Sequence, residues 1–485
     1  MKMTVNNENV KNESIIAGNN LKVLHTSDWH IGKYLYQYDR SAEYAALKEN
    51  VIKLLSDERP DLFLLSGDIF DCSNPSVDSE KFLGRVINEL HAEFPEMHVV
   101  ITAGNHDSSR KVDSIGIYTS FCDHLRIIGE LPVVYDPELH SCSVDFEKIV
   151  YPVVDKDILK GIVVAFPYIP VSRLCTITMP DSVDRMNYEQ CMRYVHCQAL
   201  EYLKGYVKEK FNTDAENVPV ICTGHCFVSS SEIRKAEEEK SMDYIGGQQA
   251  VGSGIYSGFD YAALGHIHLR QKVSHNIWYS GSPFPINFGE IDYANGVNMV
   301  TFSKKQSVSD KLSTEPVRRE SFEVTVTERV FDRAVKLVRY PADAEKEGVS
   351  EKEFDDVIRQ LQCLPEVKPE IRPFYSFSIC FDPDDTRFSS IGALREFADS
   401  TLNELQNVIR LCDMKIMVSK RGKDDSSHFN RDIHSLKDIL DPLDLVTRLY
   451  RDSCGDEKAD LPDDMKKVLE ELVEEVKTEQ QNTGN

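Results

Sequence analysis

Apolar and polar positions come in alternating blocks between Leu21 and about Thr301. "DLFLLSGD", "HVVITAGNHD", "PVICTGHC" and "YAALGHIH" are short apolar runs, each broken by a small residue and then a metal-capable one. A further run, with Val23 and Leu24, leads into Asp28 and His30 in "KVLHTSDWHIGK". Such runs read as buried strands. Between the first two lies "SAEYAALKENVIKLLSDERP", where Leu47, Val51, Leu54 and Leu55 recur at helical spacing and Pro60 stops the helix. Strands alternating with helices predict a layered α/β domain over 21–301. Ligands in such folds gather at the carboxyl ends of the strands.

The texture changes after Thr301. "SKKQSVSDKLSTEPVRRE" predicts a polar linker over 302–319, followed by a small α+β domain over 320–420. There "RPFYSFSICFD" reads as a strand and "SSIGALREFADSTLNELQNVI" as a helix. A second polar stretch, "KRGKDDSSHFNR", leads into a C-terminal tail over 421–485 with two amphipathic segments. Leu436, Ile439, Leu440, Leu443, Val446 and Leu449 line the first, and Met465, Val468, Leu469, Leu472, Val473 and Val476 form one stripe on the second. Residues 1–20 are polar and Asn-rich and read as a disordered leader; their apolar piece is too short for a signal-peptide core.

Composition alters this picture little. The 485 residues are 41% hydrophobic and 28% charged, an ordinary globular balance. No apolar run approaches the roughly 20 residues that span a bilayer, so no membrane partner and a cytoplasmic location are expected. The 12 cysteines form no C-x-x-C pair and read as reduced thiols. Cys222 and Cys226 flank His225, but no second Cys/His pair accompanies them at zinc-finger spacing. A net charge of −24 weighs against nucleic acid, which Lys and Arg bind by neutralising phosphates. Net charge is not local charge, and a metal cluster can make one cleft positive on an acidic body.

The strand ends carry the candidate chemistry. In an extended chain alternate residues point to one side, so Asp28 and His30 are expected to reach one point together. Asp68 ends the second strand, Asn105 and His106 the third, His225 a later one, and His266 and His268 another, again one residue apart. Each motif has an ordinary structural reading. Gly-Asp is a common turn, and Gly-Asn-His suits a turn with left-handed residues. Five strand ends all offering metal-type ligands favour a shared centre.

In order, D-x-H, G-D, G-N-H-D, G-H and G-H-x-H resemble the calcineurin-like metallophosphoesterase family over about residues 21–290. The resemblance implies a four-layer α-β-β-α sandwich and two metal ions. One ion would take Asp28, His30, Asp68 and His268; the other would take Asp68, Asn105, His225 and His266, with Asp68 bridging. Such a pair clamps a phosphate and activates a water. The ligand mixture suits Mn²⁺ or Fe²⁺. His106 is left for the leaving group, with Asp107 a looser candidate to hold its ring.

"HTSDWHIGK", "LLSGDIFD", "AGNHDSSRK" and "WYSGSPFPINFGE" are similar to the DNA double-strand-break repair nucleases within that family. This implies hairpin opening, single-strand endonuclease activity and ATP-dependent exonuclease activity, in DNA repair, recombination and replication. It also implies manganese as the metal, a DNA-binding cap over 320–420 and a homodimer. No G-x-x-x-x-G-K-[ST] loop is present, so ATP would act only through a partner, an SMC-like ATPase of the SbcC type held by the tail. Lys33, Arg110 and Lys111 are candidate phosphate contacts, with solvated surface charge as the ordinary reading. A phosphatase acting on a non-DNA phosphoester is the alternative.

Overall fold

The computed structural model describes residues 20–229, 250–305, 322–343, 346–382 and 387–418, together with Lys466. The expected leader and C-terminal helices lie outside the described residues.

Strands β1 (Asn20–Thr26), β2 (Leu62–Ser66), β3 (His98–Thr102), β4 (Leu125–Ile128), β15 (Gly296–Lys304) and β16 (Phe322–Val330) form one sheet, in the order β16-β15-β1-β2-β3-β4. β1 through β4 run parallel and β15 and β16 antiparallel. A second sheet is built from β7 (Val150–Asp155), β8 (Ile158–Val164), β9 (Val220–His225), β12 (Tyr261–Gly265), β13 (Gln271–Lys272) and β14 (Ile277–Tyr279). Its strand order is β13-β14-β12-β9-β8-β7. Two small ladders pair β5 (Val133–Asp136) with β6 (Ser141–Val144) and β10 (Val228–Ser229) with β11 (Val251–Gly252).

The period-two rule sorts the first sheet's side chains. Leu21, Val23, Leu62 and Leu64 enter one core with Ile162, Val164, Ile221 and Leu264 of the second sheet. Leu24, Phe63 and Leu65 point the other way, onto Leu47, Val51 and Leu55 of α1 (Ser41–Glu58) and Leu83, Val86 and Leu90 of α2 (Val77–Glu93). Because β2 touches β9 and β12 directly, α6 (Tyr188–Phe211) closes the outer face of the second sheet. Met192, Val195, Ala199 and Leu203 join that core. These are the α-β-β-α layers expected. α3 (Ser109–Tyr118) follows β3, and the single turns α4 (Phe146–Ile149) and α5 (Val171–Leu174) precede α6. The expected stop at Pro60 holds: α1 ends at Glu58, and Arg59 turns left-handed at φ +47°.

One boundary needs correcting. β15 continues to Lys304, two residues past the expected start of the linker. β16, expected with the 320–420 domain, pairs with β15 along its length and forms the edge of the first sheet.

Residues 337–418 form a smaller unit. β17 (Leu337–Tyr340), β18 (Val349–Ser350) and β20 (Arg410–Val418) all pair parallel with a central β19 (Phe374–Phe381). Parallel pairing needs crossovers, and α7 (Glu351–Gln362) and α8 (Ile391–Glu404) supply them. The helix-strand mixture expected here is thus an alternating one. Phe354, Leu361, Phe377, Ile379, Leu394 and Leu402 form its own core. It meets the sandwich through Leu35, Phe288, Val335, Leu337, Phe374 and Cys412.

Candidate metal centre

Every strand-end motif of the sequence arrives at one place, the seam between the two sheets. β1, β2 and β3 deliver Asp28, His30, Asp68, Asn105 and His106 from one side; β9 and β12 deliver His225, His266 and His268 from the other. Asp28, His30, Asp68 and His225 are almost fully buried.

The local cause differs from strand alternation. Asp28 and His30 have φ of +53° and +44°, Asp68 +46° and His266 +100°. Left-handed backbone in a non-glycine residue costs on the order of 1–3 kcal/mol and persists only where the surroundings enforce it. Here they do: Asp28 and His30 donate their backbone N–H groups to Gly67 and Asp68 carbonyls at 3.1 and 3.0 Å. The two loops after β1 and β2 therefore travel as a pair. His266 and His268 also reach different groups. His266 Nδ1 lies 3.1 Å from Asn105 Oδ1, whereas His268 Nε2 lies 3.1 Å from His30 Nε2.

The small residues in the motifs are steric requirements. A Cβ at Gly67 would sit 2.1 Å from His225 Nδ1, and one at Gly104 would sit 2.1 Å from Asp68 Oδ1. No side chain fits at either position without displacing a candidate ligand.

Hydrogen bonds fix the rest. Asp68 Oδ2 lies 3.3 Å from His225 Nε2 and 3.7 Å from His30 Nε2, which puts its carboxylate between the two groups of imidazoles. Asp28 reaches across the seam and accepts the His266 N–H at 2.9 Å. His106 donates its backbone N–H to Asp68 Oδ1 at 2.9 Å, and its Nδ1 meets the Asp71 carbonyl at 2.9 Å. Asp107 is not the group that holds the His106 ring. Its carboxylate accepts the N–H groups of Ile69, Phe70 and Gly104 at 3.0, 2.8 and 2.8 Å and closes the loop instead. Burial, reinforced by the charge of Asp68, pushes Asp107 up to about 6.

The donor set fits a cation. His268 Nδ1 lies 2.8 Å from the Glu290 carboxylate, which only accepts, so Nδ1 carries the proton and Nε2 offers a lone pair. His30 turns Nδ1 toward Asp71 Oδ1 at 3.4 Å. Burial holds the His30 pKa below 6.5, against the pull of Asp71 and Asp68. Its Nε2 lies 3.1 Å from that of His268, close enough for the two nitrogens to share one cation. His225 tells the same story. Burial opposes its charge, yet Asp68 outweighs burial and raises its pKa to about 9. A proton stands where a dication would be held. Asp68 itself is driven well below the ordinary carboxylate range: burial opposes this, but His225, His30 and His106 prevail. Ligand atoms of Asp28, His30 and His268 lie within 4.8 Å of one another, as do those of Asp28, Asp68 and His225, and those of His30, Asp71 and His106.

The calcineurin-like phosphoesterase family model matches residues 21–270, just over half of the 485-residue chain. The chain belongs to the calcineurin-like phosphoesterase family. Among curated relatives, the D component of the nuclease SbcCD from Rhodobacter capsulatus is 27% identical over 283 residues, 58% of this chain and 66% of that protein. Its namesake from Escherichia coli K12 is 25% identical over 297 residues, 60% of this chain and 68% of that protein. The match thus spans about two thirds of these relatives' length. Among solved structures, GAP50 of Plasmodium aligns at a TM-score of 0.32 and 10% identity over 65% of this chain and 90% of that one, too low to bear on the fold. Family membership and geometry agree here, since the matched segment carries a cluster of side chains suited to divalent ions.

Other candidates fall differently. Lys33 Nζ pairs with Asp71 at 3.0 Å, beside the centre, while Lys111 Nζ is spent on Asn74 at 2.8 Å. Arg110 is exposed at the start of α3. The zinc arrangement around His225 does not form. Cys226 Sγ lies 3.2 Å from the Tyr256 hydroxyl, and Cys222 is bonded to the Thr223 carbonyl. Burial pushes the Cys226 thiol up to about 11 and the Cys222 thiol well above its ordinary range, so both stay protonated. Sequence reading missed Asp71 and Glu290, which stand in "GDIFD" and "NFGE" with no ligand spacing to mark them.

Proposed function

We propose that this chain is a dinuclear-metal DNA nuclease of the SbcD type, hydrolysing phosphodiesters at hairpins, single strands and duplex ends in repair, replication and recombination. The observation that carries this reading is the convergence of Asp28, His30, Asp68, Asn105, His225, His266 and His268 at one buried seam. The relatives are named nucleases, which supports a nucleic-acid phosphodiester over other phosphoesters.

Two Mn²⁺ ions are proposed, one against Asp28, His30, Asp68 and His268 and one against Asp68, Asn105, His225 and His266. When bound, such a pair clamps a phosphate and lowers the pKa of a water. The chain's own residues supply the rest. Asp68 contributes the anion that two neighbouring cations need between them. His106 is anchored through Nδ1 by the Asp71 carbonyl. With Nδ1–H held there, Nε2 bears a second proton only in the imidazolium form, and that is the proton it would pass to the departing oxygen. A cavity of about 580 Å³ opens beside Asp71, with Tyr34, Tyr44, Phe82, Arg85, Asp39 and Asp78 among its walls. Its aromatic side chains offer faces on which a base stacks. The net charge of −24 is offset locally by the two dications.

The unit 337–418 is proposed to bear on DNA, the nuclease to pair with a second copy of itself, and ATP to act only through an SbcC-type ATPase. That partner is assigned to the tail beyond residue 420. Ending the chain near Arg431 is expected to leave a Mn²⁺-dependent nuclease that no longer co-purifies with the ATPase. The function itself is tested by incubating the purified chain with Mn²⁺ and hairpin-ended DNA, in parallel with p-nitrophenyl phosphate. Cleaved DNA is expected; turnover of the small phosphoester with intact DNA would assign a phosphatase instead.

A further inference from the structure

Four imidazoles stand at the centre, and their far sides are not treated alike. His225 turns Nδ1 to the Ser66 backbone carbonyl at 3.1 Å. His268 turns Nδ1 to the Glu290 carboxylate at 2.8 Å. Glu290 is fully buried and comes from another part of the chain, a short helical turn over Phe288–Glu290. Its second oxygen accepts the Ile286 N–H at 2.8 Å and the Ser282 hydroxyl at 3.4 Å. Arg40 secures the same segment, donating to the carbonyls of Pro285 at 2.6 Å and Ile286 at 3.2 Å while paired with Glu43. Glu290 therefore has no freedom to drift from the ring.

A buried carboxylate is retained at a cost unless something offsets the loss of water. The bonds from Ile286 and Ser282 offset part of it, and the third points at a candidate metal ligand. The carboxylate accepts only, so it fixes which nitrogen of His268 bears the proton and fixes the ring plane. It also makes the opposite nitrogen a stronger donor, the effect by which carboxylate-backed imidazoles hold metal more tightly.

We propose that Glu290 is a positioning residue that locks the tautomer and orientation of His268 and thereby sets the affinity of one of the two metal sites. This rests on the reading of His268 as a metal ligand. Phe288, two residues before Glu290, packs with Phe374 and Leu337 of the smaller unit, so the same turn joins the metal centre to that contact.

The test is a Mn²⁺ titration of the full-length chain by calorimetry, with Glu290→Gln, His268→Ala and the double variant beside the parent. Gln keeps the size but has one acceptor oxygen for two donors, the Ile286 N–H and the His268 Nδ1–H, so the ring loses its charged partner and meets either a neutral oxygen or the amide NH2. Glu290→Gln is expected to weaken one class of site by about 10–100-fold and to leave the other within twofold. In the His268→Ala background the same change is expected to do nothing further, which a merely structural role would not produce. If His268→Ala loses a site and Glu290→Gln titrates like the parent, or if Glu290→Gln weakens both classes equally, the proposal is overturned. If His268→Ala itself leaves the titration unchanged, the ligand reading fails first. Should Glu290→Gln not fold, Glu290→Asp, which keeps the charge but withdraws it by one methylene, is read the same way: weakening of one class supports the role and a parental titration overturns it.

Discussion

The sandwich and the smaller unit over 337–418 are built on the same alternation of strand and helix, yet they treat polar groups in opposite ways. In the smaller unit the core is apolar, Glu351 and Arg410 being the buried charged residues among those described, and most of its polar residues do routine work. Ser350 and Glu353 form a reciprocal capping box at the start of α7, and Ser390 caps α8. In the sandwich the strand ends bury aspartates and histidines in left-handed backbone, against the preferences of those residues. Twelve of the chain's 14 histidines lie within residues 25–275, and the segment 337–418 holds none. The difference separates a region shaped to hold charge from one shaped to be stable.

The sharpest way to break the comparison is at Asp68. Replacing it with Ala removes the carboxylate that faces both His225 and His30. Cleavage is expected to disappear and both ions to be lost by elemental analysis, more completely than for Asp28→Ala or Asn105→Ala. Equal metal content in the Asp68 and Asp28 variants would count against the bridging role. His106→Gln is expected to slow cleavage by about 10²–10⁴-fold with both ions retained. Metal loss in that variant would make His106 a ligand instead.

Next comes pH. The pKa of His225 is about 9, and a dication must displace its proton. Apparent Mn²⁺ affinity is therefore expected to fall by up to about tenfold per pH unit below 9, with protons released on binding. A flat calorimetric profile between pH 6 and 8 (on the order of a hundredfold change is expected) would contradict this. Stability should respond in the same direction for a separate reason. Burial holds His25 at about 3 and His196 at about 4, both below the 6.5 of an unfolded chain. Their neutral forms favour the fold, so this stability is complete above pH 6.5 and is lost on acidification. Each imidazole takes away about 1.4 kcal/mol per pH unit in that window. Chemical denaturation followed from pH 7 to 5 measures it, and the sandwich is expected to open before the smaller unit.

The smallest effect belongs to the smaller unit. Ser350→Ala removes one cap and is expected to cost about 1 kcal/mol, with Mn²⁺ affinity unchanged. A change in metal binding there would show that the two regions are coupled more closely than their separate cores suggest.

Much of this was legible in the sequence. The apolar runs marked the inner strands because residues buried on both faces leave no polar positions to confuse the pattern. All seven candidate ligands and His106 stand at strand ends in the sequence, where the family resemblance singled them out, and the structure gathers them at one seam. The geometry that joins them was not. Alternation along an extended chain is the wrong reason for Asp28 and His30, since both turn left-handed, and φ is not written in a D-x-H motif. β16 was misplaced because an edge strand with one exposed face reads alike in either region. Asp71 and Glu290 escaped because a group that supports a ligand needs only proximity in space, which local spacing does not encode.

The central claim is that two dications sit between the named side chains at the seam of the sheets. Anomalous scattering from crystals grown with Mn²⁺ tests it most directly. Two peaks are expected, one among Asp28, His30 and His268 and one among Asn105, His225 and His266, with the Asp68 carboxylate between them. A single peak, or peaks away from these residues, would contradict it.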